Sequence, residues 1–248
     1  MASTNSMKFI TALDLGQGDK VRTARLPEEI RHKLNGIVES GTLKLKTKPP
    51  IVVFNKLCFQ HRSVGFYSDE SYGYFFSQTV AKSEALTPEL TELLEFVNKE
   101  MSTAYNGILI NSYEDGDSIA AHADNEKALD DVGVVAINFG ATRHMYFTTT
   151  DPADPCQLGK KCRMELVGGH LMQMKGGTFQ KRFKHAIRAE KGTGRRISLT
   201  FRKHDIEKEK LAIARVPAME ARIAKLIAEK EAAAAGSTEP AAKRVKTE

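Results

Sequence analysis

Cysteine is scarce in this chain: Cys58, Cys156 and Cys162 are the three among 248 residues. Three are too few for a disulfide framework, and no pair has the Cys-x-x-Cys spacing of a zinc knuckle or redox motif. A reducing compartment is therefore expected. Long apolar runs are absent as well, since no stretch approaches the roughly 18 residues that a membrane-spanning helix needs. The opening MASTNSMKFITALDLGQGDK lacks the basic start, apolar middle and small-residue cleavage site of a secretory signal. These absences predict no membrane partner and a place in the nucleus or cytoplasm. Heptads long enough for a coiled coil are missing too, so a monomer is expected. What remains is the balance of an ordinary folded protein, 41% apolar and 27% charged residues, of a size for one principal domain.

The net charge of +6 is unevenly placed. Residues 160–204 hold thirteen Lys or Arg against Glu165 and Glu190, a local charge of +11, so the rest of the chain is net negative. A concentrated basic surface attracts polyanions, nucleic acid foremost, although a charge run alone is equally a solvated face.

Along the chain, residues 1–25 show no clear periodicity. LPEEIRHKLNGIVESG carries Pro27 near a first turn and Ile30, Leu34 and Ile37 at helical spacing. LTPELTELLEFVNKEM offers Thr87 as cap, Pro88 in the first turn and a Leu90, Leu93, Leu94, Val97 stripe. From Tyr105 the texture changes to short strand-like runs: YNGILINSY, VGVVAINFG, RHMYFTTT, RMELVGG, HLMQMKGG, KHAIRAE and RRISLTFR. Gly, Asp and Pro punctuate them, which predicts a mainly β, α+β fold with a jelly-roll core. After His204 the composition turns rich in Ala, Glu and Lys, with Pro217 dividing two helical pieces or kinking one. The expected organisation is an N-terminal extension with a short helix (1–45), a core domain (46–204), a helical extension (205–235) and a disordered basic tail (236–248).

The stretch NSYEDGDSIAAHADNEK (111–127) raises a metal question in a chain with seven histidines. On extended backbone, residues i and i+2 point to one side, so His122 and Asp124 can address one ion. Two histidines and one carboxylate form the facial arrangement used for Fe(II) oxygen chemistry, because vacant positions remain for substrate and dioxygen. Of the other histidines, only His185 lies on a late strand-like run with a dense polar sequel. By itself, His-x-Asp with a remote His is also what a hydrogen-bonded loop histidine and an exposed aspartate look like. The sequel RISLTFR puts Arg196, Ser198, Thr200 and Arg202 on one strand face. Guanidinium forks with hydroxyls beside them suit a carboxylate ligand, and an exposed basic edge strand is the plainer alternative.

The set NSY (111–113), HAD (122–124), KHAI (184–187) and RISLTFR (196–202) resembles the AlkB family of Fe(II)- and 2-oxoglutarate-dependent dioxygenases. Ser198 stands where that family's last-strand pattern usually has Asn, and a hydroxyl can still donate to a carboxylate there. MKGGTFQKRFKHAI, with its Gly-x-Phe-Gln segment, is similar to AlkB-like domains of plant RNA-virus replicases. The likeness covers about residues 50–203. It implies a double-stranded β-helix (jelly roll) core, to which the helical spacing and composition outside it add flanking N-terminal helices and a C-terminal helical extension. It also implies Fe(II) on His122, Asp124 and His185, with 2-oxoglutarate and dioxygen as co-substrates. Arg196 would meet the distal carboxylate with Tyr113 and Ser198, and Asn111 and Arg202 the end near the metal.

The resemblance further implies oxidative demethylation of N-alkylated bases such as 1-methyladenine or 3-methylcytosine in DNA or RNA. 2-Oxoglutarate and dioxygen would yield succinate and carbon dioxide, and the hydroxylated N-methyl group would leave as formaldehyde. A base must leave its stack to reach a buried site, and the extruded ring needs aromatic walls. HRSVGFYSDESYGYFFS (61–77) resembles the family's nucleotide lid, with Arg62, Tyr74 and Phe76 as substrate contacts. Taken alone, such an aromatic segment is as well a piece of core. Glu126 occupies a position where the family often has an acid near the base, and a carboxylate suits a cationic ring; otherwise it is a surface acid. Arg163, Lys181, Arg182, Lys184, Arg188 and Lys191 are candidates for phosphate contact. PAAKRVK (240–246) resembles a short nuclear import signal read by an import receptor, or it solubilises the tail. Alternatives to base demethylation are an AlkB-like hydroxylase of a protein or small molecule, and a nucleic-acid-binding module without turnover. A zinc hydrolase would leave the paired arginines unused.

Overall fold

A computed structural model describes residues 7–126, 133–156 and 162–236. It begins with strands β1 (Ile10–Asp14) and β2 (Lys20–Arg25) and helix α1 (Glu28–Glu39). The hairpin β3 (Pro50–Val53) and β4 (Lys56–Phe59) precedes β5 (Ser63–Tyr67), β6 (Gly73–Phe76), β7 (Thr79–Glu84) and helix α2 (Pro88–Met101). Then come β8 (Gly107–Tyr113), β9 (Ile119–His122), β10 (Val134–Gly140), β11 (Arg143–Thr149), β12 (Arg163–Leu166) and β13 (His170–Lys175). A short helix α3 (Phe179–Arg182) leads into β14 (Phe183–Ile187) and β15 (Arg196–Arg202), and α4 (Ile206–Ile213) and α5 (Val216–Gly236) follow.

Each of the seven apolar runs after Tyr105 becomes a strand, and the two helices form around the stripes that predicted them. Ile30, Leu34 and Ile37 are the buried residues of α1, whose acidic first turn (Glu28, Glu29) complements the helix dipole. In α2, Thr87 caps by accepting from the Leu90 N–H, and Leu90, Leu93, Leu94 and Val97 turn inward. Burying each of these side chains contributes roughly 1.5–3 kcal/mol. Both helices share one apolar cluster with Ile108, Ile110, Val135, Ile137, Leu199 and Phe201. They cover the outer face of the large sheet and leave its other face to a cavity.

The large sheet has nine strands in the order β1-β2-β13-β10-β15-β8-β5-β7-β6, and a second sheet runs β12-β11-β14-β9. Two mainly antiparallel sheets face to face, joined by crossovers, make the double-stranded β-helix. Residues 10–25, where the sequence shows no periodicity, add β1 and β2 to the edge of the large sheet; β2 pairs with β13 from His170↔Arg25 to Lys175↔Lys20. The N-terminal segment is therefore continuous with the core. Buried Asp19 fixes it there, accepting from Thr178 Oγ1 (2.6 Å) and Arg182 Nη1 (2.7 Å). At the β10–β11 turn Gly140 adopts φ +79°, and a Cβ would lie 2.5 Å from the Arg195 carbonyl. Only glycine lets this turn approach the start of β15.

The segment after His204 forms two helices, with Pro217 in the first turn of the second. The segment 240–246 lies outside the described residues. No described helix is long and apolar enough to cross a membrane.

Candidate active site

The paired sheets enclose a cavity of about 490 Å³. Strand alternation selects its walls: Arg196, Ser198, Thr200 and Arg202 of β15 and Leu109, Asn111 and Tyr113 of β8 face inward together. Across from them stand Met145, His185 and Ile187 of the smaller sheet. His122, Asp124, Glu126, Arg62, Tyr74 and Phe76 line the same space, so the twelve residues expected to meet metal, co-substrate and base share one cavity, and the six phosphate candidates do not line it.

His122 and His185 are direct cross-strand partners on β9 and β14, with ring centroids 4.3 Å apart. Asp124 follows β9 and faces both, Oδ1 3.6 Å from His122 Nε2 and Oδ2 3.4 Å from His185 Nε2. One ligand atom from each of the three lies within 4.8 Å of the others. His122 Nδ1 is 2.9 Å from the Ala120 carbonyl, which can only accept, so Nδ1 donates there and Nε2 is the nitrogen turned to the cluster. Burial pushes His185 down to about 3 against the opposing pull of Asp124, which keeps its imidazole neutral. Burial alone would raise the Asp124 carboxyl, but Arg202, His185 and His122 outweigh it and hold it well below the usual range. Two imidazoles and one carboxylate are the donor set an Fe(II) ion takes.

The arginines show a second fitting feature. Arg196 is 1% exposed, with Nη2 donating to Asn138 Oδ1, its guanidinium carbon 5.2 Å from the Tyr113 ring centre, and Nε and Nη1 without partners. Burial lowers its pKa to about 10, so it stays charged at neutral pH. A buried cation without a carboxylate is costly, and an anionic ligand would satisfy it. Arg202 binds Asp124 Oδ1 through Nη2 at 2.7 Å, leaving Nε and Nη1 unpaired beneath Tyr74. Asn111 Oδ1 accepts from Arg62 Nε at 2.8 Å. The donors present thus fit both a ferrous ion and a dicarboxylate co-substrate.

In the same cavity as the His–Asp–His cluster, Tyr74 and Phe76 lie on one strand face with centroids 5.5 Å apart, and the Tyr74 hydroxyl donates to Glu126 Oε1 at 2.7 Å. Burial raises the Glu126 carboxyl, Arg202 opposes this, and the Asp124 charge adds to it.

Several supporting residues escaped the sequence reading. Gln180, the Gln of the Gly-x-Phe-Gln segment, accepts the Asp124 N–H at 2.8 Å and so fixes the metal loop. Buried Arg143 donates to the carbonyls of Asp117 (2.6 Å) and Arg188 (3.1 Å), tying the turn before β9 to the end of β14. Asn138 had no signal beyond its place in a strand. One phosphate candidate is corrected: Arg182 is taken up by Asp19 and Asp154, at 2.7 and 2.8 Å, and is not a free surface cation. Arg163, Lys181, Lys184, Arg188 and Lys191 are exposed.

The family model described as the 2OG-Fe(II) oxygenase superfamily matches residues 24–202. The human protein named DNA oxidative demethylase ALKBH2 is 29% identical over 180 residues, 71% of this chain and 68% of that protein. Its bovine counterpart is also 29% identical, with 64% of its length covered. The RNA replication polyprotein of citrus leaf blotch virus is 28% identical over 152 residues, 61% of this chain and 7% of the polyprotein. A solved structure of OsALKBH1 superposes with a TM-score of 0.49 at 14% identity, covering 80% of this chain and 100% of that one. The chain belongs to the 2OG-Fe(II) oxygenase superfamily. Within it the protein is an AlkB-like dioxygenase, an enzyme class that uses Fe(II), 2-oxoglutarate and dioxygen.

Proposed function

We propose that this enzyme oxidatively demethylates N-alkylated bases in nucleic acid, releasing formaldehyde, succinate and carbon dioxide. The observation that carries the reading is the meeting in one cavity of a buried arginine with no carboxylate partner, a His–Asp–His cluster and the aromatic pair Tyr74 and Phe76. His122, Asp124 and His185 would hold the iron. When bound, iron with 2-oxoglutarate and dioxygen supplies the oxidising power that hydroxylates a methyl group.

The protein's part is binding, orientation and exclusion of water. Arg196 receives the distal carboxylate of 2-oxoglutarate through its free Nε and Nη1, with Tyr113 and Ser198 beside it. Arg202 orients Asp124 through one nitrogen and offers the others, with Asn111, to the end near the metal. Met145, Met172, Met174 and Ile187 keep the cavity wall apolar. Tyr74 and Phe76 hold the extruded base, and Glu126 presents its carboxyl beside it. A cationic 1-methyladenine or 3-methylcytosine ring favours the ionised form of that carboxyl, so charge pairing accompanies entry. Exposed Arg163, Lys181, Lys184 and Lys191 meet the phosphates.

The test is a substrate screen for formaldehyde. Strands carrying 1-methyladenine or 3-methylcytosine, as single or double DNA or RNA, are compared with N-methylated peptides. Turnover of a methylated strand supports the reading, and its rank order assigns the nucleic acid. Turnover of the peptides alone replaces it with protein hydroxylation.

A further inference from the structure

A second cavity, of about 510 Å³, opens beside the first. Gln60, Arg62, Ile119 and Ile187 line both, so the two share a wall. No lining residue of the second cavity is acidic, whereas Arg62, Arg188 and His61 contribute to it. Its aromatic surfaces are Phe59, 43% exposed at the end of β4, and Tyr146 on the outer face of β11. The Arg188 guanidinium carbon lies 3.9 Å from the centre of the Tyr146 ring.

Gln60 points to a ligand. Its side chain is 3% exposed, and neither the carboxamide oxygen nor the nitrogen has a hydrogen-bond partner. A buried amide that lacks both partners is unfavourable unless something entering the space satisfies it. An amide offers a donor and an acceptor side by side, which matches the hydrogen-bonding edge of a base. Arginine planes and aromatic rings stack on bases of any sequence, and guanidinium groups bind phosphate.

We infer that the second cavity is a subsite for the nucleotide adjacent to the target in the substrate strand. The inference rests on the nucleic-acid reading above. The Arg188–Tyr146 pair stacks the neighbouring base, Gln60 reads its edge, and Arg62, on the shared wall, takes the phosphate between the two nucleotides. While the target base occupies the first cavity, its neighbour is then held outside the stack as well. The enzyme gains a preference for sequence context and for strands in which two successive bases can be splayed.

The experiment measures binding by fluorescence anisotropy, using short labelled single strands with one 1-methyladenine. One strand is intact, one has an abasic site on the 5′ side of the target, and one has it on the 3′ side. In the wild type, one of the two abasic sites weakens binding about tenfold, the scale of losing one stacked base. Tyr146→Ala binds intact and abasic strands alike. Gln60→Leu keeps the abasic penalty but no longer distinguishes the four neighbouring bases. The inference is overturned if the wild type is indifferent to both abasic sites, or if Tyr146→Ala retains the full penalty. Formaldehyde release from methylated strands with such indifference removes the subsite and leaves the demethylase standing. Neither binding nor formaldehyde with any strand removes both.

Discussion

Arg196 carries a full charge at 1% exposure, with Asn138 and the face of Tyr113 for company. A role in the fold alone would favour an apolar residue of similar volume, since an uncompensated buried charge destabilises. Arg196→Met is therefore expected to melt no lower than the wild type. Its KM for 2-oxoglutarate should rise on the order of 100-fold, the loss of two charge-assisted hydrogen bonds. Succinate formation against 2-oxoglutarate concentration, with a thermal melt, checks both; a lower melting temperature with unchanged KM would make the residue structural. Phe54 is a second case of local cost. It sits in the two-residue β3–β4 turn at φ 47°, beside Asn55 at φ 62°, and is 93% exposed. A bulky side chain with positive φ and no burial gains nothing for folding. On the nucleic-acid reading proposed above, this ring beside the cavity-lining Val53 would fill the gap that an extruded base leaves in a duplex. Phe54→Gly should leave stability unchanged or raised, and lower activity on base-paired substrate about tenfold while sparing single strands. Equal losses on both substrates would count against this role.

Among the elements, α4 and α5 have the least obvious purpose and a definite set of contacts. Glu209 of α4 is fully buried, accepting from the Tyr72 N–H (3.0 Å), from Ser71 Oγ and from His204 Nδ1 (2.9 Å). Two of these donors, Ser71 and Tyr72, belong to the turn before β6, and the ring of the third, His204, packs on Phe66 and Tyr74. Arg222 of α5 bridges Asn55 and Gln78, the turns of two hairpins beside the cavity. The C-terminal helices thus brace the aromatic segment around β6 beside the cavity. Burial tends to raise the Glu209 carboxyl, but the hydrogen bonds from His204, Ser71 and Tyr72 outweigh it, so its folded pKa lies below the ordinary 4.5. A depressed carboxyl contributes stability that is present above about pH 4.5 and lost as pH falls through the folded value. Hydrogen exchange at the Tyr72 amide, corrected for intrinsic rate, should stay protected down to about pH 4.5 and open below it. Glu209→Gln should remove that acid dependence, and an identical profile in both proteins would contradict the brace.

The same elements show where sequence periodicity stops being informative. The α2 stripe was legible because one face of the helix is buried and burial imposes a period, whereas β8 and β15, buried on both faces, were legible as short apolar runs bounded by turn residues. β1 is an edge strand with four of five residues exposed, and only Val21 and Ala24 of β2 are buried, so neither carries a period to read. In the site, His122, Asp124 and Arg196 through Arg202 followed from spacing and from the family likeness. Asn138, Gln180 and Arg143 did not, because common polar residues acquire their roles through partners 58, 56 and 26 positions away. Gln60 was invisible for the same reason in reverse: its significance is the partner it lacks.

For the whole molecule, charge and cavity tell one story. The basic stretch 160–204 supplies both the buried arginines that fit a dicarboxylate and the exposed cations around the small sheet. The central claim is that one cavity couples 2-oxoglutarate turnover to loss of a methyl group from a base. Its most direct measurement is the stoichiometry of succinate and formaldehyde after anaerobic loading with Fe(II) and 2-oxoglutarate, addition of a 1-methyladenine strand, and admission of air. One formaldehyde per succinate, with both lost in Asp124→Ala, is the predicted result. Succinate without formaldehyde, or formaldehyde persisting in Asp124→Ala, would contradict the account.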